Sequence, residues 1–251
     1  MADRNSPIGV FDSGVGGIGT LAALCRELPQ ERFLFYGDTA NAPYGTKSRD
    51  EVMGCVSRIM DHLLAQDVKA VVIACNTATA VAAAELRARY ELPIIGIEPA
   101  LKPAHEMRRE GSILVLATPM TLKLEKFRAL YARYGEGAIP LPCPGLMELV
   151  EREADDKARR YLLDLFAPYD LTKVDAVVLG CTHYVFLRPI LQDILPKNVK
   201  VLDGNVGTAR QLRRVLTQRD LLSEGPGRVT LETSGNPALV LPVMQRLFGR
   251  A

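Results

Sequence analysis

The sequence predicts an α/β protein made of two similar three-layer domains, each built on a mainly parallel sheet. Short apolar, β-branched runs alternate with amphipathic helical stretches along almost all of the 251 residues. This alternation is typical of right-handed βαβ units, and therefore of parallel sheets covered by helices. The strand candidates outnumber those that one mononucleotide-binding sheet needs, which favours two sheets.

Most of the predicted strands are largely apolar, as expected of strands buried on both faces. A long helix is predicted over Ser48–Gln66, where apolar residues recur at helical spacing. Its start has a capping-box pattern, because Glu51 follows Ser48 by three residues. In chain order the strand candidates are Ile8–Phe11, Arg32–Tyr36, Ala70–Ala74, Pro93–Ile97, Ser112–Leu116, Ala138–Leu141, Asp175–Leu179, Val199–Leu202 and Arg228–Glu232.

Two short segments are predicted to carry the chain between the domains. The segment Glu98–Pro103 contains two prolines, and Asp203–Asn205 offers a turn for the return. We therefore expect a first α/β domain from residues 1–97 plus 206–251 and a second from residues 98–205. Cys75 belongs to the first domain and Cys181 to the second.

Composition and charge narrow the class of protein. Hydrophobic residues make up 48% of the chain and charged residues 24%, with a formal net charge of +2. This balance gives no reason to expect nucleic acid or a membrane surface as a partner. No apolar stretch approaches the roughly 20 residues that span a bilayer. The first residues lack the apolar core of a signal peptide, so we expect a cytoplasmic protein.

The five cysteines show no Cys-x-x-Cys spacing. Neither a disulfide framework nor a metal site is therefore indicated. Cys25 and Cys55 share helical faces with apolar residues, and we interpret them as small core residues. Cys143, between two prolines, is assigned no role.

The other two cysteines lie in matching settings. Cys75 follows the apolar run Val71–Ala74, and Cys181 follows Ala176–Gly180. A thiol at the carboxyl end of a parallel strand lies where open α/β sheets bind ligands. A helix that starts just after it favours the thiolate. Two such thiols suggest one substrate held between them, which places the active site in the cleft between the domains.

A glycine-rich turn follows the first predicted strand. Gly14, Gly16 and Gly19 formally satisfy the dinucleotide-binding fingerprint, and Asp38 ends the next strand where a ribose-binding acid is expected. These residues support an alternative function, that of an NAD(P)-binding Rossmann-type oxidoreductase. Against it, Asp12 would set a carboxylate against the pyrophosphate, which is repulsive.

Small donors and acceptors follow several of the predicted strands. The carboxylate and hydroxyl of Asp12 and Ser13 suit an ammonium group, while amides and hydroxyls can bind a carboxylate. Each of these residues, taken alone, is equally compatible with a helix cap. The amide and hydroxyl residues are Asn76, Thr77, Thr118, Thr121 and Thr182, and the turn Asn41–Gly45 adds backbone donors.

His183 lies two residues after Cys181. At a strand-to-helix junction, its imidazole could act as an acid or base, or stabilise the neighbouring thiolate. The alternative interpretation is a structural histidine held by hydrogen bonds.

Together these residues resemble the glutamate racemases, a family of cofactor-independent amino-acid racemases. The matching segments occur in the family's order and are spread over most of the chain. They are Gly9–Gly17, Tyr36–Gly45, Ala74–Thr79, Leu179–Tyr184 and the C-terminal Thr233–Pro237.

The resemblance implies that Cys75 and Cys181 are the two catalytic bases and that Asp12 and His183 assist them. Glu151 resembles the family's further acidic residue near the cleft. Glutamate is implied as the substrate, because the related aspartate racemases typically carry Glu at the position of His183. The family implies a homodimer, no cofactor, and Cys75 acting on D-glutamate with Cys181 acting on L-glutamate. Residues implied to contact the substrate are Asp12, Ser13, Tyr44, Gly45, Asn76, Thr77, Thr118, Thr121, Thr182 and His183.

The expected chemistry fits two thiols. One base removes the α-proton while an acid on the opposite face delivers another, and the two exchange states with each turnover. An ordinary thiol titrates near pH 8.5, so one thiolate and one thiol are accessible close to neutral pH. The expected product is D-glutamate for peptidoglycan synthesis. The alternatives are the oxidoreductase, a racemase acting on aspartate, and an amino-acid-binding module without catalysis.

Overall fold

The computed structural model describes residues 3–251, which separate into two units. The first unit comprises the described residues up to Glu98 together with Asn205–Ala251. The second unit is Pro99–Gly204. The chain therefore leaves the first unit and later returns to complete it.

Every strand pairing in the described part of the chain is parallel, which confirms the predicted α/β class. Each predicted strand is present, and its ends lie within one residue of the predicted ends. The strands are β1 Ile8–Asp12, β2 Arg32–Gly37, β3 Ala70–Ile73, β4 Ile94–Gly96, β5 Ser112–Ala117, β6 Ala138–Pro142, β7 Val174–Leu179, β8 Lys200–Asp203 and β9 Arg228–Thr233.

The α-helices follow the strands, as βαβ units require. They are α1 Ile18–Glu27, α2 Arg49–Leu64, α3 Asn76–Arg89, α4 Leu101–Met107, α5 Pro119–Lys123, α6 Glu125–Tyr134, α7 Leu146–Glu151, α8 Asp155–Phe166, α9 Arg188–Ile194, α10 Asn205–Gln218 and α11 Pro237–Arg250. Short 3-10 helices cover Thr39–Asn41, Tyr44–Thr46, Leu171–Lys173 and Thr182–Leu187. The predicted capping box at the start of α2 is present, with Ser48 N donating to Glu51 Oε2 at 2.7 Å.

The two sheets repeat one strand order. The first sheet has the order β4-β3-β1-β2-β9, and the second, read in the same sense, has the order β8-β7-β5-β6. The first four strands of each unit therefore occupy equivalent positions, and β9 is an addition to the first unit. Cys75 follows the third strand of its unit, and Cys181 follows the third strand of the other. This equivalence accounts for their matching sequence settings.

Both faces of the second sheet are covered. Alternate residues of β5 belong to two different hydrophobic clusters, Leu114 and Leu116 to one, Ile113 and Val115 to the other. Since both faces are buried, the strands read as continuous apolar runs instead of alternating ones. Among the described residues, no helix is long and apolar enough to cross a membrane.

Two cysteines outside the predicted site are held as neutral thiols. Burial raises the pKa of Cys25 to about 11, against a smaller opposing effect of Arg26. Burial, with a further contribution from nearby Cys181, raises the pKa of Cys143 to about 12. Cys55 is buried in α2, as expected of a small core residue.

Candidate functional site

Cys75 joins β3 to α3 and is the N-cap residue of that helix. Its Sγ accepts a hydrogen bond from Ala78 N at 3.4 Å and lies 3.5 Å from Ser13 Oγ. The side chains of Cys75 and Ser13 meet because β3 and β1 are neighbours in the sheet. The amino end of α3 carries partial positive charge, which stabilises negative charge on the sulfur.

Asp12 ends β1, and its carboxylate holds the glycine-rich turn. Asp12 Oδ2 accepts hydrogen bonds from Gly14 N and Gly17 N, both at 3.1 Å. Only glycine fits at position 17, where a Cβ would lie 2.6 Å from Asp12 Cβ. A dinucleotide pyrophosphate would need these same amides. Their use by an internal carboxylate counts against the oxidoreductase.

Asp38 does not serve as a free acid at the end of β2. Its carboxylate accepts hydrogen bonds from Tyr44 OH at 2.5 Å and from Asn41 Nδ2 at 2.8 Å. Burial, followed by the hydrogen bond and charge of Asp38, raises the pKa of the Tyr44 phenol far above its ordinary value. Tyr44 is therefore a neutral, fixed donor, and Asp38 positions the segment that also contains Gly45.

Asn76 and Thr77 begin α3 directly after Cys75, and both are buried. Within the described part of the chain, Asn76 Oδ1 has no hydrogen-bond partner. A buried amide oxygen without a partner is costly, so this atom is suited to accept a hydrogen bond from a ligand.

Cys181 follows β7 in the second unit, but the segment after it differs from that after Cys75. Thr182–Leu187 forms a 3-10 helix, where the sequence pattern predicted the start of an ordinary helix. Pro189 has no N–H to bond with Val185 O, so an α-helical ladder would lack one hydrogen bond at this junction. The next helix, α9, begins at Arg188 and has this proline in its first turn.

His183 links Cys181 to Glu151. The Cys181 Sγ lies 3.9 Å from His183 Nδ1, and His183 Nε2 lies 2.9 Å from Glu151 Oε1. Burial raises the pKa of the Glu151 carboxyl, but the hydrogen bond and charge of His183 outweigh it, so the pKa is lowered overall. Ionised Glu151 accepts from the Nε2–H and leaves Nδ1 facing the thiol. The imidazole can then accept the thiol proton or, when protonated, stabilise the thiolate.

Thr118 and Thr121 lie after β5, the strand equivalent to β1. Thr118 Oγ1 accepts from Thr121 N at 3.2 Å and lies 2.9 Å from Thr121 Oγ1. Thr118, not Thr121, is therefore the cap of α5. Thr121 and Thr182 are buried in the same unit.

Two supporting side-chain contacts were not predicted from the sequence. Asn41 holds the Asp38 carboxylate, and Tyr184 OH donates to Cys143 O at 3.1 Å. The second contact ties the 3-10 helix after Cys181 to the end of β6. Asn41 lies inside the Tyr36–Gly45 motif, so the sequence could have indicated its role. No sequence pattern indicates that Tyr184 binds Cys143 O.

Glu151→Gln is expected to lower the free energy of unfolding by about 1 kcal/mol at pH 7, the scale of a charge-assisted hydrogen bond. Because the folded-state pKa of Glu151 is depressed, this contribution is present above the ordinary value of 4.5 and is lost as the pH falls through the folded-state pKa. Urea unfolding at pH 7 and at pH 3 measures the difference. Glu148→Gln on the same helix is the control. A deficit that stays equal at both pH values would contradict the assignment.

The fold and site define an α/β enzyme of the amino-acid racemase class. A family model described as Asp/Glu/hydantoin racemase matches residues 12–212. The chain belongs to this family.

Similar proteins match the chain along nearly its full length. A glutamate racemase of Clostridium botulinum (strain Hall) is 45% identical, covering 99% of each chain. The crystal structure of glutamate racemase from Thermus thermophilus, in complex with β-chloro-D-alanine, is 37% identical, with a TM-score of 0.85 over 98% of this chain and 94% of that one. Escherichia coli glutamate racemase, in complex with L-glutamate and the activator UDP-MurNAc-Ala, is 29% identical, with a TM-score of 0.83 over 96% of this chain and 94% of that one.

Proposed function

We propose that the protein interconverts L- and D-glutamate without a cofactor, with Cys75 and Cys181 as bases on opposite faces of the α-carbon. The observation that carries this proposal is the repeated fold, in which one thiol follows the third strand of each unit. Full-length similarity to glutamate racemases supports it, as does the L-glutamate bound to the Escherichia coli protein.

In the first unit, Cys75 removes or delivers a proton, and Ser13 holds its sulfur. Asp12 acts through the turn that it fixes and supplies negative charge for the substrate ammonium. The free Oδ1 of Asn76 accepts from the substrate, and Thr77, Tyr44 and Gly45 contact its polar ends.

In the second unit, His183 accepts the proton of the Cys181 thiol and returns it, and Glu151 orients the imidazole. Thr182 follows Cys181 as Asn76 follows Cys75, and it donates to the substrate carboxylate. Thr118 and Thr121 provide further hydroxyls at the end of β5.

The α-proton of an amino acid is weakly acidic, so binding does much of the catalytic work. Both cysteines are almost completely buried, with 6% of Cys75 and 8% of Cys181 exposed. A thiolate in such surroundings is poorly hydrated, and fixed donors around the substrate carboxylate stabilise charge as it develops. Cys75 acts on D-glutamate and Cys181 on L-glutamate.

Incubation with L-glutamate in deuterated water, without added cofactor, tests this function. We expect the circular dichroism signal to decay to zero as equal amounts of both enantiomers form, with deuterium at the α-carbon. A stable signal without label would overturn the proposal and favour an amino-acid-binding module. Enhanced NADH fluorescence on mixing would favour the oxidoreductase. L-aspartate is the matched control, and we expect much slower loss of its signal.

We propose that the protein acts as a cytoplasmic homodimer that supplies D-glutamate for peptidoglycan synthesis. Light scattering after size-exclusion chromatography is expected to give twice the 27.5 kDa of one chain. A single-chain mass at the concentration of the assay would contradict the dimer.

A further inference from the structure

The strand β9 is the one strand of the first unit without an equivalent in the second. It pairs with β2 along its whole length, and the last pairs join Tyr36 to Glu232 and Gly37 to Thr233. Because the strands are parallel, both end at the same edge of the sheet. The turn after β9, residues 233–236 (the β9 turn), therefore lies beside the segment after β2, residues 38–46 (the β2 segment).

Direct hydrogen bonds join the β9 turn to the β2 segment. Thr233 Oγ1 lies 2.7 Å from Thr39 Oγ1, and Ala40 N donates to Ser234 Oγ at 3.1 Å. Ser234 N also donates to Gly37 O at 3.1 Å, which fixes the turn against the end of β2. At Gly235, a Cβ would lie 2.4 Å from Thr39 Oγ1, so any other residue would displace the Thr39 hydroxyl.

The β2 segment carries the proposed substrate contacts Tyr44 and Gly45. Within it, Asp38 binds Asn41 and Tyr44 from the start of the segment, and Thr46 Oγ1 donates to Pro43 O. None of these hydrogen bonds involves the side chain of Thr39 or the amide of Ala40. The β9 turn supplies that contact from a part of the chain 194 residues away.

We propose that Thr233, Ser234 and Gly235 are positioning residues for substrate binding, acting through the β2 segment without touching the substrate. The inference rests on the proposed function, since it assigns Tyr44 and Gly45 to the substrate. A segment that is held in its bound conformation loses less conformational entropy when the substrate binds. The two hydroxyls also bond Gly235 N and the Tyr36 side chain. Their removal therefore loosens both the turn and the segment, which weakens binding more than it slows the chemical step.

The kinetic test uses the double variant Thr233→Val/Ser234→Ala, which removes both hydroxyls while keeping the shape of residue 233. We expect KM for glutamate to rise by about 3- to 10-fold, the effect of one or two hydrogen bonds, with kcat within about two-fold of the parent. Thr230→Val, an exposed change on the same strand, is the control and leaves both constants unchanged. An unchanged KM, or a loss confined to kcat, would overturn the positioning role. Thr233→Val alone gives the same readout if the double variant does not fold.

Hydrogen exchange tests the contact separately from activity. Backbone amides of residues 39–46 are expected to exchange at least about five-fold faster in the double variant than in Thr230→Val, because local opening becomes easier. Unchanged exchange in this segment would refute the contact, whatever the kinetics show. If the parent protein racemises neither enantiomer, the proposed function fails, whereas the exchange result still decides whether the β9 turn holds the β2 segment.

Discussion

Cys75→Ala and Cys181→Ala are each expected to reduce racemisation by a factor of about 10³ or more, the range set by removing an essential acid or base. With one thiol gone, a proton can be removed from one face, but none can be delivered to the other. Each change removes a single sulfur atom, so the fold is expected to persist. Interconversion of the enantiomers by circular dichroism measures the loss, and urea unfolding checks the fold.

Other buried thiols provide matched controls, Cys55→Ala in the first unit and Cys143→Ala in the second. Both are expected to keep most of the activity. The thiol that remains in each variant also shows which enantiomer it deprotonates. Cys75→Ala should still exchange the α-hydrogen of L-glutamate, and Cys181→Ala that of D-glutamate. Retention of more than about a tenth of the parent activity by either variant is incompatible with an essential acid or base.

The second large effect concerns stability. Lys69→Met is expected to lower the free energy of unfolding by about 3–5 kcal/mol, the cost of leaving one partner of a buried ion pair unpaired. The Lys69 Nζ lies 2.5 Å from Glu31 Oε2, with the two side chains 1% and 2% exposed. It also donates to Arg4 O at 2.5 Å and Leu221 O at 2.9 Å. One ammonium group thus joins three separate segments at the amino edge of the first sheet.

Urea unfolding with a matched exposed pair tests this expectation. Lys102 and Glu106 form an ion pair with side chains 56% and 61% exposed, and Lys102→Met is expected to cost less than about 1 kcal/mol. The double variant Lys69→Met/Glu31→Gln is expected to recover part of the loss, because it removes the unpaired charge while Gln can still accept from Ser223 N. A loss below about 1 kcal/mol for Lys69→Met would contradict this expectation, because it would show that water reaches the remaining Glu31 carboxylate.

The central strands could be predicted because they are buried on both faces. Runs such as Ile113–Leu116 are then apolar at every position, and that pattern is local in the sequence. The 3-10 helix after Cys181 was missed because residues 182–187 have an unremarkable helical composition. Pro189, which removes one α-helical hydrogen bond at this junction, lies beyond the segment.

The positions of the candidate site residues after strands could be predicted, but the contacts of those residues could not. Cys75, Cys181 and the polar residues beside them follow strands, so their place at the sheet edge follows from the strand pattern. The contact between His183 and Glu151 spans 32 residues, and that between Ser234 and Ala40 spans 194. Such pairs depend on how α7 packs in its unit and on the pairing of β9 with β2. Neither property is encoded in a local pattern.

The two-base mechanism is tested most directly by the position of deuterium early in the reaction. L-Glutamate is incubated in deuterated water, and the label at the α-carbon is measured separately in the D-product and in the recovered L-substrate after a few per cent of turnover. One thiol removes the original proton and the other delivers a solvent-derived deuteron from the opposite face. The account predicts fully labelled product and recovered substrate that is essentially unlabelled. Label entering the recovered substrate as fast as the product, or product that keeps its original proton, would contradict it.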